Sequence, residues 1–482
     1  MKDTPSLSIG REALLSVGSK ALMAAIGFGG IVIFANVLGD VGLGQYRTVI
    51  AAAFVLTQLP AGVATAVKKR VSEVSVAPAE FFGLGLLVHA AFSALVLLGF
   101  VVFEPAAADY FGTAELAYGV VAVTAALGFF NVANRLYSGI GHPAASSWLD
   151  AVRSVLTFLL QLLFLWLGMA AFGLVAGLAA ATAVTGVFSW LAARVSPAAP
   201  TVETAKRVYE FARWSVPNGL LTNTYQSADP LIIKWLAGAG AVGVYTVALN
   251  LVVPASMFAG SIRDALSVKS SGVDSVGGSV RFDLANAVSY AGLLAIPIFF
   301  GALAIPNALL TTVFGPSFAD APGLALVGLA LYQVLNVYRL PFEAVIEGTD
   351  RPGIIFRVNA AVLVLYLPLA FALGTPFDLL GVIAATVISE AARVAAYQYV
   401  AHVEYGGIVV TRPIGEQALA GAVMFAVVWT LAEFAVPVRS WVQLLLVVGV
   451  GAAVYFLALL AVSSHFRETI RHTVPQLLPA DA

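Results

Sequence analysis

Residues 84–103 read LGLLVHAAFSALVLLGFVVF, twenty residues without a charge and with only His89 and Ser93 polar. As a helix, such a run covers the ~30 Å hydrocarbon core of a bilayer, since each residue rises about 1.5 Å. The run is continuous rather than alternating, which favours a transmembrane helix over a barrel strand. Comparable runs, bounded by Gly, Pro or charge, recur along the whole chain. They predict helices over 12–38, 42–66, 80–104, 115–140, 144–168 and 170–195. After a polar break come 210–237, 241–267, 284–305, 320–346, 353–374, 378–404, 412–436 and 439–464.

The composition agrees. Of 482 residues, 60% are hydrophobic and 11% charged, against roughly 25% charged in an ordinary globular protein. A soluble fold could not cover its surface with so few charges. About fourteen spans of ~25 residues need ~350 residues, which fits with short loops. The expected fold is an all-α polytopic membrane protein. Lys2 and Arg11 precede the first run as in a signal peptide, but that run is too long for an h-region and contains Lys20, so it is read as a retained helix. The balance of 25 basic against 26 acidic residues excludes a nucleic-acid binder. Zero cysteines exclude disulfides, thiolate catalysis and cysteine-ligated zinc. Five scattered histidines offer no HExxH-type pairing. No metal site, cofactor or catalytic residue is expected.

Lysine and arginine stay on the cytoplasmic side of a membrane protein. With an even number of helices, 17 of the 25 basic residues flank one face: Lys2, Arg11, Lys68, Lys69, Arg70, Arg194, Lys206, Arg207, Arg213, Arg263, Lys269, Arg281, Arg351, Arg357, Arg412, Arg467 and Arg471. Arg47, Lys234 and Arg439 flank the other. Lys20, Arg135, Arg153, Arg339 and Arg393 fall within helices. Both termini are therefore expected in the cytoplasm.

An internal repeat is also present. Gly44-Gln45-Tyr46 recurs as Gly243-Val244-Tyr245, offset 199, and Phe111-Gly112 as Phe314-Gly315, offset 203. Asn131-Val132 with Arg135-Leu136 recurs as Asn336-Val337 with Arg339-Leu340, offsets 205 and 204. Gly173-Leu174-Val175 recurs as Gly381-Val382-Ile383, offset 208. Six helices per repeat make the halves parallel, with a substrate site expected between them. The division follows: a six-helix lobe over 1–195, a cytoplasmic linker over 196–209, a second six-helix lobe over 210–404, and two extra helices with a cytoplasmic tail over 405–482.

Six, six and two helices, with Ala228-Asp229-Pro230-Leu231-Ile232-Ile233 ahead of Gly243-Val244-Tyr245, resemble the polysaccharide-transporter flippases of the MATE-like (multidrug/oligosaccharidyl-lipid/polysaccharide exporter) superfamily. Thr312-Val313-Phe314-Gly315-Pro316-Ser317-Phe318 and Gly381-Val382-Ile383-Ala384-Ala385-Thr386 are similar to further family features. The resemblance implies translocation of a polyprenyl-phosphate-linked oligosaccharide to the outer leaflet of the cell membrane, for surface polysaccharide or glycoprotein synthesis. Its partners would be that glycan lipid, the bilayer and glycan-assembly enzymes. It also implies cations in helices one, two and eight, and the matching positions are Lys20, Arg47 and Arg263.

Charge inside hydrocarbon costs several kcal/mol unless paired or hydrated, so intramembrane polar groups are site candidates. Asn218, Thr222, Gln226 and Asp229 lie within about 80° at 100° per residue, a polar stripe on helix seven. Pro230 removes a backbone donor beside it. The stripe fits either a water-filled cavity or a polar seam between helices. Asn336, Arg339 and Glu343 lie within about 60° on helix ten, where Arg339 and Glu343 could also neutralise each other at i,i+4. Asp229 and Glu343 are candidates for a coupling or a structural acid, with Lys234 one partner considered for Asp229. Asp150/Arg153 and Glu390/Arg393 are read as internal pairs, and His89 as a packing residue rather than a proton site.

Unpaired cations suit a phosphate, which Arg binds bidentately. The preferred function is thus a lipid-linked oligosaccharide flippase working by alternating access around a cationic cavity. A cation-coupled drug or metabolite antiporter is the first alternative, disfavoured by the extra helix pair and by Lys20 and Arg47. A membrane glycosyltransferase or ligase is the second. Such enzymes need carboxylates on a sizeable loop, whereas the longest outer loop, about 105–114, carries only Asp109 between Glu104 and Glu115.

Overall fold

A computed structural model describes residues 9–73, 76–276, 278–468 and 471, with side chains from Leu22 onward except at 218, 222, 223 and 226. Every regular element among them is helical. In chain order these are α1 (Ile9–Leu56), α2 (Gln58–Val71), α3 (Pro78–Val102), α4 (Glu104–Phe111), α5 (Ala114–Gly139), α6 (Pro143–Trp166) and α7 (Ala170–Ala193). There follow α8 (Val202–Ser275), α9 (Arg281–Ala291), α10 (Ala295–Ala304), α11 (Pro306–Phe314), α12 (Gly323–Gly348), α13 (Pro352–Glu404), α14 (Arg412–Thr430) and α15 (Trp441–Val462).

Among the described residues, eleven helical stretches are long and apolar enough to cross a bilayer. Three of them, of 35, 49 and 53 residues, are far longer than the ~20 residues one crossing needs. Each is broken inside: at Gly39 in α1 (φ 67°, ψ −168°), at Gly238 in α8 (φ 86°, ψ 179°) and at Asp378 in α13 (φ 48°, ψ −129°). Glycine bears the positive φ at the first two without a Cβ penalty. The chain is a multi-pass membrane protein, and its outer residues agree. On α3, Leu95, Leu98 and Val102 are exposed while Phe82 and His89 are buried. Such an apolar face would be an association hazard in water and is ordinary against lipid tails.

The internal repeat reappears in the backbone. Positive φ occurs at Gly39 and Gly238, 199 residues apart, at Gly112 and Gly315, 203 apart, and at Ala170 and Asp378, 208 apart. These are the offsets of the sequence matches. Between them α5 and α12 are both 26 residues long, and α6 and α13 both begin with proline. The segment after α3, expected as a loop, is the short helix α4, and α11 follows α10 at the matching place of the repeat. Both have proline in the first turn and end at one of the paired glycines.

Two compact units divide the chain, residues 1–246 and 247–482. The first contains α1–α7 and α8 up to Thr246, so its edge falls beyond the 196–209 segment that separates the sequence repeats. Residues 201–246 are held in this unit by direct bonds. Ser215 Oγ donates to the Gly62 carbonyl at 2.9 Å, and Arg207 pairs with Glu73 at 2.6 Å. Val63, Val67, Phe82, Val132 and Leu136 form part of its core. In the second unit, Leu266, Leu284, Phe342, Val345 and Tyr397 pack together.

Candidate functional site

The break at Gly39 turns α1 back on itself, and Gly44 lies one turn beyond it. The break at Gly238 does the same for α8, with Gly243 at the matching place. In the first unit the two glycines pack into each other's turns. A Cβ on Gly44 would stand 1.7 Å from the Ala239 carbonyl oxygen, and one on Gly243 would stand 2.0 Å from that of Asp40. No side chain fits at that separation.

The tyrosines of the two Gly-x-Tyr strings are both buried and both bonded. Tyr245 donates from its hydroxyl to Asp229 Oδ2 at 2.7 Å, joining the arms of α8 across the Gly238 turn. Tyr46 accepts from Gln161 Nε2 at 2.7 Å, and Gln161 also donates to the Leu174 carbonyl at 2.9 Å. Asp229 is 4% exposed, so its carboxylate requires such donors. Arg47, next to Tyr46, is half-buried. It has no carboxylate partner among the described residues and lies within electrostatic reach of the Tyr46 and Tyr245 hydroxyls. Lys20 stands on described helix, but its side chain lies outside the described residues. The same holds for the side chains of Asn218, Thr222 and Gln226, so only Asp229 of that stripe can be placed.

In the second unit, Asn336, Arg339 and Glu343 belong to a larger cluster. Arg339 donates from Nε to Glu390 at 2.6 Å, from Nη2 to the Asn336 oxygen at 2.5 Å, and pairs through Nη1 with Glu343. Arg393 pairs with Glu390 at 3.3 Å, and the Tyr397 hydroxyl donates to Glu343 at 3.1 Å. Two arginines and two glutamates thus balance between α12 and α13. The i,i+4 pairing, one of two readings on helix ten, is present, and so is the expected Glu390/Arg393 pair. Sequence could not reveal that Arg339 joins them, because its bond to Glu390 spans 51 residues.

Arg263 pairs with Glu347 at 2.6 Å rather than standing alone. Asp150 and Arg153 pair at 3.3 Å, with the Arg153 guanidinium over the Phe130 ring at 5.1 Å. His89 is buried and packs on Gly128, where a Cβ would come within 2.4 Å of its ring. At the basic end of α2, Arg70 and Arg207 converge on Glu73. Their hydrogen bonds hold the Glu73 carboxyl below the usual carboxylate range.

Residues 9–266 match a protein family described as polysaccharide biosynthesis protein. Two proteins of Haloferax volcanii are similar end to end. A probable flippase, AglR, is 26% identical, over 98% of this chain and 99% of its own. A probable low-salt glycan biosynthesis flippase, Agl15, is 25% identical, over 95% and 96%. Among solved structures, the lipid II flippase MurJ in an inward closed conformation gives a TM-score of 0.78 at 15% identity, covering 95% of this chain and all of the other. An inward-facing MATE multidrug transporter gives 0.62 at 17% identity, over 80% and 97%. These likenesses show a fold shared by lipid flippases and drug exporters.

Proposed function

From the premise that this chain belongs to the polysaccharide biosynthesis protein family, we propose that it flips a polyprenyl-linked oligosaccharide from the cytoplasmic to the outer leaflet. The observation that carries the reading is the end-to-end similarity to two probable flippases, which leaves almost none of either chain unmatched. The family is one of transporters, not enzymes. The glycan would serve surface polysaccharide or glycoprotein synthesis in the cell membrane, delivered by glycan-assembly enzymes. Movement is by alternating access.

Arg47 is the residue we assign to the lipid phosphate, with Lys20 as its companion. A half-buried guanidinium without a carboxylate partner among the described residues is ready for an anion. Arg339, by contrast, already has three acceptors, and Arg263 is paired with Glu347. We assign these two to holding helices, together with Asn336 and Glu343. The breaks at Gly39, Gly238 and Asp378 support fourteen crossings, an even number, and the Lys/Arg distribution then favours both termini in the cytoplasm.

The test is flipping of a fluorescent lipid-linked oligosaccharide in reconstituted vesicles. Arg47→Ala should reduce the rate on the order of tenfold at unchanged abundance, as loss of a charge-assisted hydrogen bond predicts. Arg47→Lys should fall between, because it keeps charge and loses the bidentate fork. Full activity in both Lys20→Ala and Arg47→Ala would remove the cationic site. Ion-driven efflux of a cationic dye with no lipid flipping would instead make the protein an antiporter.

A further inference from the structure

Arg135 and Lys68 take no part in the site assigned above. Both line a cavity of about 260 Å³ between α2, α5 and α6, with Asn131, Asn134, Ser146 and Asp150 among its walls. Neither cation has a carboxylate partner among the described residues. The acid of the cavity, Asp150, is already paired with Arg153 at 3.3 Å. Asn134 is 6% exposed, and its Nδ2 donates to the Ser146 carbonyl at 3.3 Å. Its Oδ1 has no hydrogen-bond partner among the described residues. A buried amide oxygen in this condition gains from a ligand hydroxyl that a small rotation of the amide brings within reach.

The wall chemistry selects the ligand. A metal or organic cation would be repelled by Lys68 and Arg135. A bare anion would be drawn to them but would leave Asn134 Oδ1 unused and would face the Asp150 carboxylate. A group combining one phosphate with several hydroxyls uses both halves, with phosphate on the cations and hydroxyls on Asn134 and Asp150. The volume lies just under the ~300–1,000 Å³ of sites for drug-sized molecules, so there is room for one phosphosugar-sized group. The cavity also takes in the first turn of α6, at Pro143, Ser146 and Ser147, where no side chain caps the free amides. A helix N-terminus reinforces phosphate binding already favoured by the two cations.

We propose that this cavity binds a sugar phosphate between the basic end of α2 and Arg135 of α5, apart from Arg47 and Lys20. The assignment deepens the flippase reading and rests on it. The Lys/Arg distribution puts these helix ends in the cytoplasm, where a lipid-linked glycan is loaded, so its phosphate–sugar junction is the fitting occupant. A free sugar phosphate acting as an effector has the same chemistry.

Titration calorimetry on the purified full-length chain, with glucose 1-phosphate, inorganic phosphate and glucose as probes, tests the assignment. Glucose 1-phosphate should bind on the order of tenfold more tightly than phosphate, and glucose should not bind measurably. Lys68→Gln and Arg135→Gln should each weaken glucose 1-phosphate about tenfold. Asn134→Ala should abolish the preference over phosphate. Because Asn134 is buried, Ser147→Phe, which fills the cavity from a half-buried position, is the second variant and should remove binding. Equal affinity for phosphate and glucose 1-phosphate, or affinity indifferent to these substitutions, overturns the proposal. Vesicles carrying a polyprenyl phosphoglucose separate the sources: displacement of bound glucose 1-phosphate identifies the lipid, and no displacement identifies the soluble effector. Flipping measured in parallel separates the two readings. Binding without flipping removes the transport function and leaves the pocket, whereas flipping without binding overturns the pocket alone.

Discussion

At the scale of single residues, a buried acid is bonded to a phenol rather than left to a mobile ion. Asp229 accepts from Tyr245 at 2.7 Å across the α8 turn, so the pair holds two arms of one hairpin together. Asparagine at 229 keeps an oxygen for the Tyr245 hydroxyl while removing the charge. Phenylalanine at 245 leaves a buried carboxylate one donor short, at a cost of about 1–3 kcal/mol. Tyr245→Phe should therefore lower abundance and thermal stability, whereas Asp229→Asn should keep both and should flip lipid with an intact response to an ion gradient. Normal abundance with the gradient response lost in Asp229→Asn would make this acid the coupling site. The repeated Gly-x-Tyr string marked both tyrosines in sequence. Gln161 carried no comparable signal, since it lies 115 residues from Tyr46, and Asp229 stood out as a candidate acid while nothing in the sequence named Tyr245 as its partner.

Between helices, the α12–α13 cluster shows how one arginine can serve two helices at once. Glu390 is fully buried and Arg339 nearly so. Deleting one member of such a group leaves its partners charged and unpaired, which costs about 3–5 kcal/mol. Arg339→Ala should accordingly lower the thermal midpoint of the purified protein, and Glu390→Gln added to it should recover part of the loss. If Arg339→Ala is as stable as wild type but does not flip lipid, the arginine belongs to substrate and the cluster is not a lock. Residues 336, 339 and 343 share a face at helical spacing, so that stripe was readable from sequence. The two helices brought against each other there were not, because hydropathy says nothing about which apolar faces meet.

For the molecule as a whole, topology is the property most directly open to test. The absence of cysteine permits single-cysteine labelling without background. Gly112 has φ 97°, which disfavours a cysteine, so exposed Asp109 and Ser317 are the better outer positions. With both termini inside, Asp109→Cys and Ser317→Cys should react with an impermeant thiol reagent in intact cells, and Ser72→Cys and Ser275→Cys should react only after permeabilisation. The reverse pattern would invert the orientation, and with it the side on which the Lys68–Arg135 cavity meets its ligand.

Features that depend on local pattern were legible along the chain. Charge-free runs identified lipid as the solvent, because desolvated backbone can persist there only as helix or closed barrel. Gly44/Gly243 and Phe111/Phe314 set repeat offsets that the backbone reproduces at Gly39/Gly238 and Gly112/Gly315. What tertiary structure alone decided are the partners: Glu390 for Arg339, Tyr245 for Asp229, Glu347 for Arg263, and the backbone of Ala239 against Gly44. It also decided that residues 202–246 pack in the first compact unit although the repeat assigns most of them to the second half. Pairing depends on which side chains are brought within about 3 Å by helices that are remote in sequence, and no periodicity along a single helix encodes that distance.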